Sequence, residues 1–582
     1  MERISLKIVG ASGQGIISIG EILAKAFKRS GYCVFGYREY MSLIKGGHGS
    51  YQIDVSDALI RSTEEHVNVL VALNHHGFEQ NLSELKEGGV LVHESKDWKF
   101  SSQHQAIIKK NKLQVVFLPI EEVLAKLKAK PILGNVFFAA FVWAAFGGDK
   151  VLLKELVSER FSKKKDQLTK NMQVIDEGFA HHTMHTSALH VALPAPDKQW
   201  SKQLLLTGSQ AMGLGIVHAG CRLYAGYPMT PSSPLLSYIA DIQNETGMVI
   251  KQAEDEITAA QMMSGANFMG TRAITATSGG GFDLMSETVS LNGMIENPSV
   301  FVLAQRPGPA TGLPTWTAQG DLLMAIHTAH GEFARCVMAV SDSDDAFRLM
   351  PEAFNIAEEF QTPVIVLTDK QIAEAIYTQK PYDQGAMQIN RGKLIVQPTA
   401  LKKLRSGDRY DPKITDGISV RWLPGSEAVT YCAQGDEHSA DGSVDETAAN
   451  AVTQIEKRMR KAEAMKKTLL DPELFGGQNP DVLLVGWGST KGAILDVLEN
   501  LTKSGVGYLH FTYLWPLRTE KFEKLAAKAK KVIFIEGNHN GQLETLLRQE
   551  CGYRDGEHIR KYDGRPFFYD KLHDQIVSIT SA

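Results

Sequence analysis

Apolar residues along this chain fall in short runs bounded by glycine-rich turns, and stretches of helical spacing follow most of them. A short apolar run between turns reads as a buried strand, and a 3.6-residue spacing reads as a helix. On that basis residues 4–9 form a first strand, Gly10-Ala11-Ser12-Gly13-Gln14-Gly15 a tight turn, and a helix follows to about Ser30. The alternation runs to about residue 180 and predicts a doubly wound α/β domain. A helix is expected from Leu204 to near Cys221, with strands at 222–225, 248–252, 273–276, 299–304 and 362–367. Residues 415–447 break the pattern with polar turns, and 448–470 read as a charged helix with few apolar anchors, a surface brace or strut. The strand–helix rhythm resumes at 482–485, 507–511 and 532–536.

A chain of 582 residues exceeds what one core fills, so several domains are expected. The pattern divides it into an α/β domain at 1–185, a linker at 186–200, a second α/β domain at 201–395, an irregular segment with the charged helix at 396–478, and a third α/β domain at 479–582. The tract His181-His182-Thr183-Met184-His185 leads into proline-rich sequence and is assigned to the linker rather than to a metal site.

Composition narrows the function classes. A formal net charge of -4 with interspersed Lys and Glu leaves no one-signed face for nucleic acid or anionic lipid. The longest apolar run, 136–146, is too short to cross a bilayer, and the N-terminus enters a strand without a signal-peptide core, so neither membrane nor export is expected. Five widely separated cysteines form no disulfide framework and no cluster motif, which points to a reducing cytoplasm.

Three stretches carry candidate chemistry. The acidic knot Glu254-Asp255-Glu256 joins a strand-like run to a helix rich in small residues, and it lies between the Pro-rich Tyr227-Pro228-Met229-Thr230-Pro231-Ser232-Ser233 and Thr277-Ser278-Gly279-Gly280-Gly281. The turn Gly10–Gly15 has the order G-x-x-G-x-G rather than the dinucleotide fingerprint, and is either structural or a contact for an anionic ligand or partner. Lys45-Gly46-Gly47-His48-Gly49 is a basic loop suited to a phosphate or carboxylate, or a solvated hairpin.

Several motifs in order, Gly226–Ser233, Gln252-Ala-Glu-Asp-Glu256, Thr275-Ala-Thr-Ser-Gly279, Gln305-Arg-Pro-Gly-Pro309 with Thr311–Thr315, and Glu536-x-Asn538-x-Asn540-Gly-Gln542-Leu543, resemble the alpha subunit of 2-oxoacid:ferredoxin oxidoreductases. The N-terminal domain resembles the gamma subunit of the same enzymes, fused in front. The resemblance implies that 201–395 is a thiamine diphosphate pyrimidine-binding domain and 479–582 a transketolase C-terminal-like domain. It implies Glu256 as the catalytic acid at the aminopyrimidine, chosen over Glu254 and Asp255 because it precedes Gly265 by nine residues. Tyr227, Pro228 and Ser278 are then cofactor contacts, and Thr230, Ser232, Arg306, Lys45 and His48 substrate contacts, with helix capping an alternative for Thr230 and Ser232 and an ion pair for Arg306.

No Gly-Asp-Gly motif occurs in the chain. The resemblance therefore assigns Mg²⁺, the diphosphate site and a [4Fe–4S] cluster to a separate beta subunit, in a heterotetramer of two alpha and two beta chains. It implies oxidative decarboxylation of a 2-oxoacid to its acyl-CoA, with coenzyme A as co-substrate and ferredoxin as electron carrier. The fused gamma–alpha arrangement favours 2-oxoglutarate, ahead of pyruvate or branched-chain acids; a transketolase- or lyase-like subunit is the alternative. One departure stands out: Trp316 occupies a place where relatives often carry Lys or Arg, leaving Lys45, His48, Arg421 and His438 as candidate replacements for a carboxylate anchor.

Overall fold

The computed structural model describes residues 2–41, 47–161, 165–185, 189, 191–385, 388–427, 429–501 and 505–581. Two compact units divide the chain. The first comprises Met1–Leu206, Ala375–Pro381 and Phe567–Ala582; the second comprises Thr207–Glu374 and Tyr382–Pro566.

The first unit is built on an eight-stranded mixed sheet in the order β6-β5-β4-β1-β3-β2-β14-β7. Its strands are β1 (Arg3–Ala11), β2 (Cys33–Tyr40), β3 (His48–Ser56), β4 (Val67–Ala72), β5 (Leu85–His93), β6 (Gln114–Phe117), β7 (Leu204–Thr207) and β14 (Ile376–Gln379). β1, β4, β5 and β6 run parallel, whereas β3 pairs antiparallel with both β1 and β2. Apolar side chains fill both faces. One face packs helices Ile16–Arg29 and Gly134–Ala145, the latter buried almost all round, as its unbroken apolar run requires. The other packs Phe78, Leu82 and Leu91 against Trp98 and Phe100.

Three expectations about chain path are corrected here. The histidine tract lies inside helix Lys165–His185, where His182 Nε2 meets the Leu189 carbonyl at 2.8 Å. The described part of the segment expected as a linker, 191–200, is mostly exposed but tied down at three points: Val191 N–H donates to Ala145 O, Asp197 N–H to Gly31 O, and the Trp200 indole to Asp57 O at 2.6 Å. Leu204–Thr207 is a strand, and the helix begins only at Gly208, where Thr207 and Gln210 form a reciprocal capping box. The compact units also cut the chain elsewhere than the sequence pattern does, because the C-terminal helix Tyr569–Ser581 belongs to the first unit.

The second unit carries two sheets. One is seven-stranded, β18-β12-β13-β11-β10-β8-β9, with β8 (Leu223–Gly226), β9 (Val249–Gln252), β10 (Ala273–Thr277), β11 (Ser299–Gln305), β12 (Cys336–Ala339), β13 (Pro363–Asp369) and β18 (Tyr513–Trp515). Six strands are parallel, and β18 closes the edge antiparallel to β12. The other sheet is five-stranded, β15-β17-β16-β19-β20, from β15 (Glu473–Gly476), β16 (Val482–Trp487), β17 (Val506–Phe511), β19 (Lys531–Glu536) and β20 (Glu557–Arg560). One apolar cluster runs through both, from Phe282, Phe301 and Leu367 to Leu483, Trp487 and Phe534.

Helix Ala448–Thr468 departs from its expected role as a strut. Its buried side chains are Gln454, Lys457, Arg458, Lys461 and Met465, so its anchoring face is charged rather than apolar. Lys457 and Lys461 both bind the carboxylate of Glu296, the second at 2.5 Å, in a group where all three side chains are at most 2% exposed. Among the described residues no single helix is long and apolar enough to cross a membrane.

Candidate functional site

Parallel sheets gather loops at the carboxyl ends of their strands, and ligands of open α/β sheets bind there. In the second unit four such loops come from neighbouring strands. Residues 227–232 follow β8, the acidic knot follows β9, Ser278 follows β10, and Arg306 follows β11.

The three acids of the knot have three different fates. Asp255 is the N-cap of helix Glu256–Phe268, its side chain accepting from Thr258 N–H at 2.7 Å. Glu254 stays at the surface and accepts from the Thr258 hydroxyl at 3.1 Å. Glu256 opens the helix and turns inward; it is 4% exposed, and its Oε1 is buried without a hydrogen-bond partner. A buried unpaired carboxylate oxygen is costly and asks for a donor that none of the described residues provides.

What surrounds that oxygen is equally specific. A side chain at Gly281 would place its Cβ 2.7 Å from Glu256 Oε1 and 2.1 Å from Thr277 Oγ1, so only glycine fits. Ser278, fully buried, also has an unpartnered hydroxyl. The Thr277 hydroxyl lies 3.8 Å from Met229 Sδ, which joins the β10 loop to the β8 loop. Arg306 Nη1 donates to the Thr230 carbonyl at 2.6 Å and so joins the β11 loop to the same place. The arrangement is a cradle of glycine, hydroxyls and one orphaned carboxylate, with a guanidinium at its rim.

Tyr227, Pro228, Thr230, Ser232, Glu256, Ser278 and Arg306 are thus all carried by loops at one end of one sheet. Tyr227 is 38% exposed and Pro228 is exposed, at the outer part of the loop. Ser232 is buried, and its hydroxyl donates to the Met229 carbonyl at 2.7 Å, closing its own turn; it stands at the N-cap of helix Ser233–Asp241 without capping it by side chain. Burial draws the Arg306 guanidinium below its usual range, opposed by Asp321.

Asp321 was not among the residues the sequence singled out. A Cβ on Gly279 would lie 3.1 Å from its Oδ2, an oxygen that has no hydrogen-bond partner. Burial and the neighbouring Asp283 push its carboxyl up to about 6, against the pull of Arg306. The signal for it was its place at the end of the Pro/Thr-rich loop, one residue before the helix Leu322–His327.

The remaining candidates lie elsewhere. Lys45 falls outside the described residues. His48 belongs to the first unit, on β3, with Nε2 3.1 Å from Asn81 Nδ2; burial, then Lys7 and His76, lower it to about 4. Arg421 is held in a buried group with Glu358, and His438 lies against the Tyr410 ring at 4.4 Å, so both serve packing rather than a carboxylate anchor. At Trp316 the cation is supplied from the end of the second unit: the Arg565 guanidinium lies 3.5 Å over the indole.

Residues 214–459 match the family described as pyruvate flavodoxin/ferredoxin oxidoreductase, thiamine diphosphate-binding, and residues 5–181 match pyruvate ferredoxin/flavodoxin oxidoreductase. The 2-oxoacid:ferredoxin oxidoreductase subunit alpha of a Sulfolobus species is 30% identical, covering 99% of this chain and 97% of its own length. The chain belongs to the 2-oxoacid:ferredoxin oxidoreductase alpha subunits. The 2-oxoglutarate oxidoreductase subunit KorA of Mycobacterium tuberculosis is 26% identical across 98% of the chain and 91% of its own. The solved 2-oxoglutarate:ferredoxin oxidoreductase from Magnetococcus marinus, with 2-oxoglutarate, coenzyme A and succinyl-CoA bound, superposes with a TM-score of 0.91 at 29% identity, covering 99% of both chains. As an alpha subunit, the protein is one chain of a multi-subunit enzyme.

Proposed function

We propose that the chain is the alpha subunit, with a gamma-type domain fused in front, of a coenzyme A-dependent enzyme that oxidatively decarboxylates 2-oxoglutarate to succinyl-CoA and passes the electrons to ferredoxin. The observation that carries this reading is the unpartnered Oε1 of Glu256 in a cradle kept open by Gly281. The substrate assignment is supported by the Magnetococcus marinus enzyme, with 2-oxoglutarate and succinyl-CoA bound, and by the mycobacterial relative's name. Pyruvate and branched-chain 2-oxoacids are the competing substrates, and low-potential ferredoxin would drive the same enzyme toward carboxylation.

The residues fit the aminopyrimidine end of thiamine diphosphate. Bound there, the cofactor supplies the electron sink that decarboxylation of a 2-oxoacid requires. With the cofactor bound, the buried Glu256 Oε1 would face the aminopyrimidine and would hold a proton there. Tyr227, Pro228 and Ser278 shape the cofactor's bed, and Thr230 and Arg306 orient the 2-oxoacid, the guanidinium pairing with a carboxylate. A partner beta chain supplies Mg²⁺, the diphosphate site and a [4Fe–4S] cluster, in an α₂β₂ assembly within a reducing cytoplasm.

Co-expression with the beta chain, followed by assay of 2-oxoglutarate, pyruvate and 2-oxoisovalerate with coenzyme A and a ferredoxin or viologen acceptor, tests this. The expected result is the highest kcat/KM for 2-oxoglutarate and strict dependence on an electron acceptor. Turnover without any acceptor would point to a lyase-like activity instead, and a Glu256→Gln enzyme with the wild-type rate would remove the assigned acid.

A further inference from the structure

The motif Glu536-x-Asn538-x-Asn540-Gly541-Gln542 lies in the five-stranded-sheet domain and has no part in the cradle around Glu256. Its side chains reach into the loop that runs from Arg306 to Asp321. Gln319, 1% exposed, has every polar group engaged there. Its N–H donates to the Gly537 carbonyl at 2.9 Å, and its Nε2 donates to the Trp487 carbonyl at 2.7 Å. Its Oε1 accepts from Gly537 N–H at 2.7 Å, and its carbonyl accepts from Asn538 Nδ2 at 3.0 Å. Gln542 adds a second grip, donating to the Gly320 carbonyl at 2.6 Å and accepting from Leu323 N–H at 3.0 Å.

Both sides of this clamp are built for close approach. A Cβ at Gly488 would come within 2.8 Å of Gln319 Nε2, and one at Gly537 within 3.2 Å of its Oε1. Glu536 braces the clamp from behind, accepting from the Trp487 indole at 3.1 Å, from Asn538 Nδ2 at 3.0 Å and from two N–H groups of helix Gln542–Cys551. On the other side the grip passes directly to the site. Asp321, two residues on, donates its N–H to Gln305 Oε1 at 3.0 Å and sets its carboxylate over Gly279, while Gln305 adjoins Arg306.

We propose that Gln319, with Asn538 and Gln542, is a positioning device by which the five-stranded-sheet domain sets the place of Arg306 and Asp321, and so the fit of the 2-oxoacid. The inference rests on the reading of Arg306 as a substrate contact. It assigns the motif a role in substrate geometry rather than in holding the cofactor, because no clamp bond touches Glu256, Thr277 or Gly281.

The test uses the enzyme assembled with its partner chain, comparing Gln319→Leu and Gln542→Ala with wild type in 2-oxoacid kinetics and in thiamine diphosphate affinity by tryptophan fluorescence. Gln542→Ala removes only the two outer bonds and guards against a Gln319 variant that fails to fold. A small misplacement at a reacting centre is worth on the order of 10²-fold, so KM for the 2-oxoacid is expected to rise about tenfold, kcat to fall less, and cofactor affinity to stay within about twofold. An unchanged KM in both variants overturns the proposal, as does an equal loss of substrate and cofactor affinity. Wild-type enzyme inactive on every 2-oxoacid would instead overturn the functional reading beneath it.

Discussion

Among the glutamates buried in the second unit, Glu256 and Glu296 have surroundings that could hardly differ more. Glu296 is 0% exposed and saturated. Burial alone would push its carboxyl up, but Lys457, Lys461 and Arg409 outweigh that and hold it well below the usual carboxylate range. Glu256 is 4% exposed and keeps an oxygen with no donor among the described residues. Burial is therefore common to both and distinguishes nothing; what separates a carboxylate that ties a helix down from one awaiting a ligand is whether its lone pairs are already used.

The sharpest way to break this contrast is to delete each acid in turn. Glu256→Ala in the assembled enzyme is expected to lower kcat by about 10³-fold, within the range for loss of a positioned acid–base group. Its denaturation midpoint should hold or rise, since the substitution removes an unpaired buried oxygen. Glu296→Ala should do the opposite, costing about 3–5 kcal/mol of stability in chemical denaturation because it strands two buried lysines, while the enzyme that remains folded keeps its KM. Replacing Glu296, Lys457 and Lys461 together by apolar residues of similar volume should recover most of that loss.

Gly281→Ala tests the cradle without touching a charge. Its Cβ would collide with Thr277 Oγ1 and Glu256 Oε1, so activity should fall about 10- to 100-fold through displacement of the acid, with a smaller effect on folding. The smallest expected effect is one of pH. A carboxylate depressed on folding stabilises above its ordinary pKa of 4.5, and that stability is lost as the pH falls below it. Guanidinium midpoints measured from pH 6 to pH 3 should therefore decline less steeply in Glu296→Gln than in wild type.

Much of the fold was legible because β8, β10, β11, β13, β16 and β19 are apolar runs with turns on both sides. The spacing from Gly265 singled out Glu256 among the three acids, and that is the one the structure buries, although nothing presses on that glycine. Leu204–Thr207 was read as helix because a run of three leucines fits either period, and only pairing within the first sheet decides between them. Helix 448–470 was read as a surface brace because a lysine-rich helix face is normally wet; the acid that buries Lys457 and Lys461 is more than 160 residues away. Gln319 escaped notice for the same reason, since its partners Trp487, Gly537 and Asn538 become neighbours only after two sheets have packed.

β18 completes the seven-stranded sheet with a strand borrowed from the far side of the sequence. During synthesis the strand order matters: β12, ending at Ala339, leaves the ribosome about 170 residues before Tyr513–Trp515 can pair with it. Until then one edge of the cofactor-binding sheet carries an unprotected row of backbone donors and acceptors, the kind of edge that recruits foreign strands. Truncation before residue 513 would make that exposure permanent, so shortened forms of this chain are expected to aggregate rather than to survive as a minimal cofactor-binding domain.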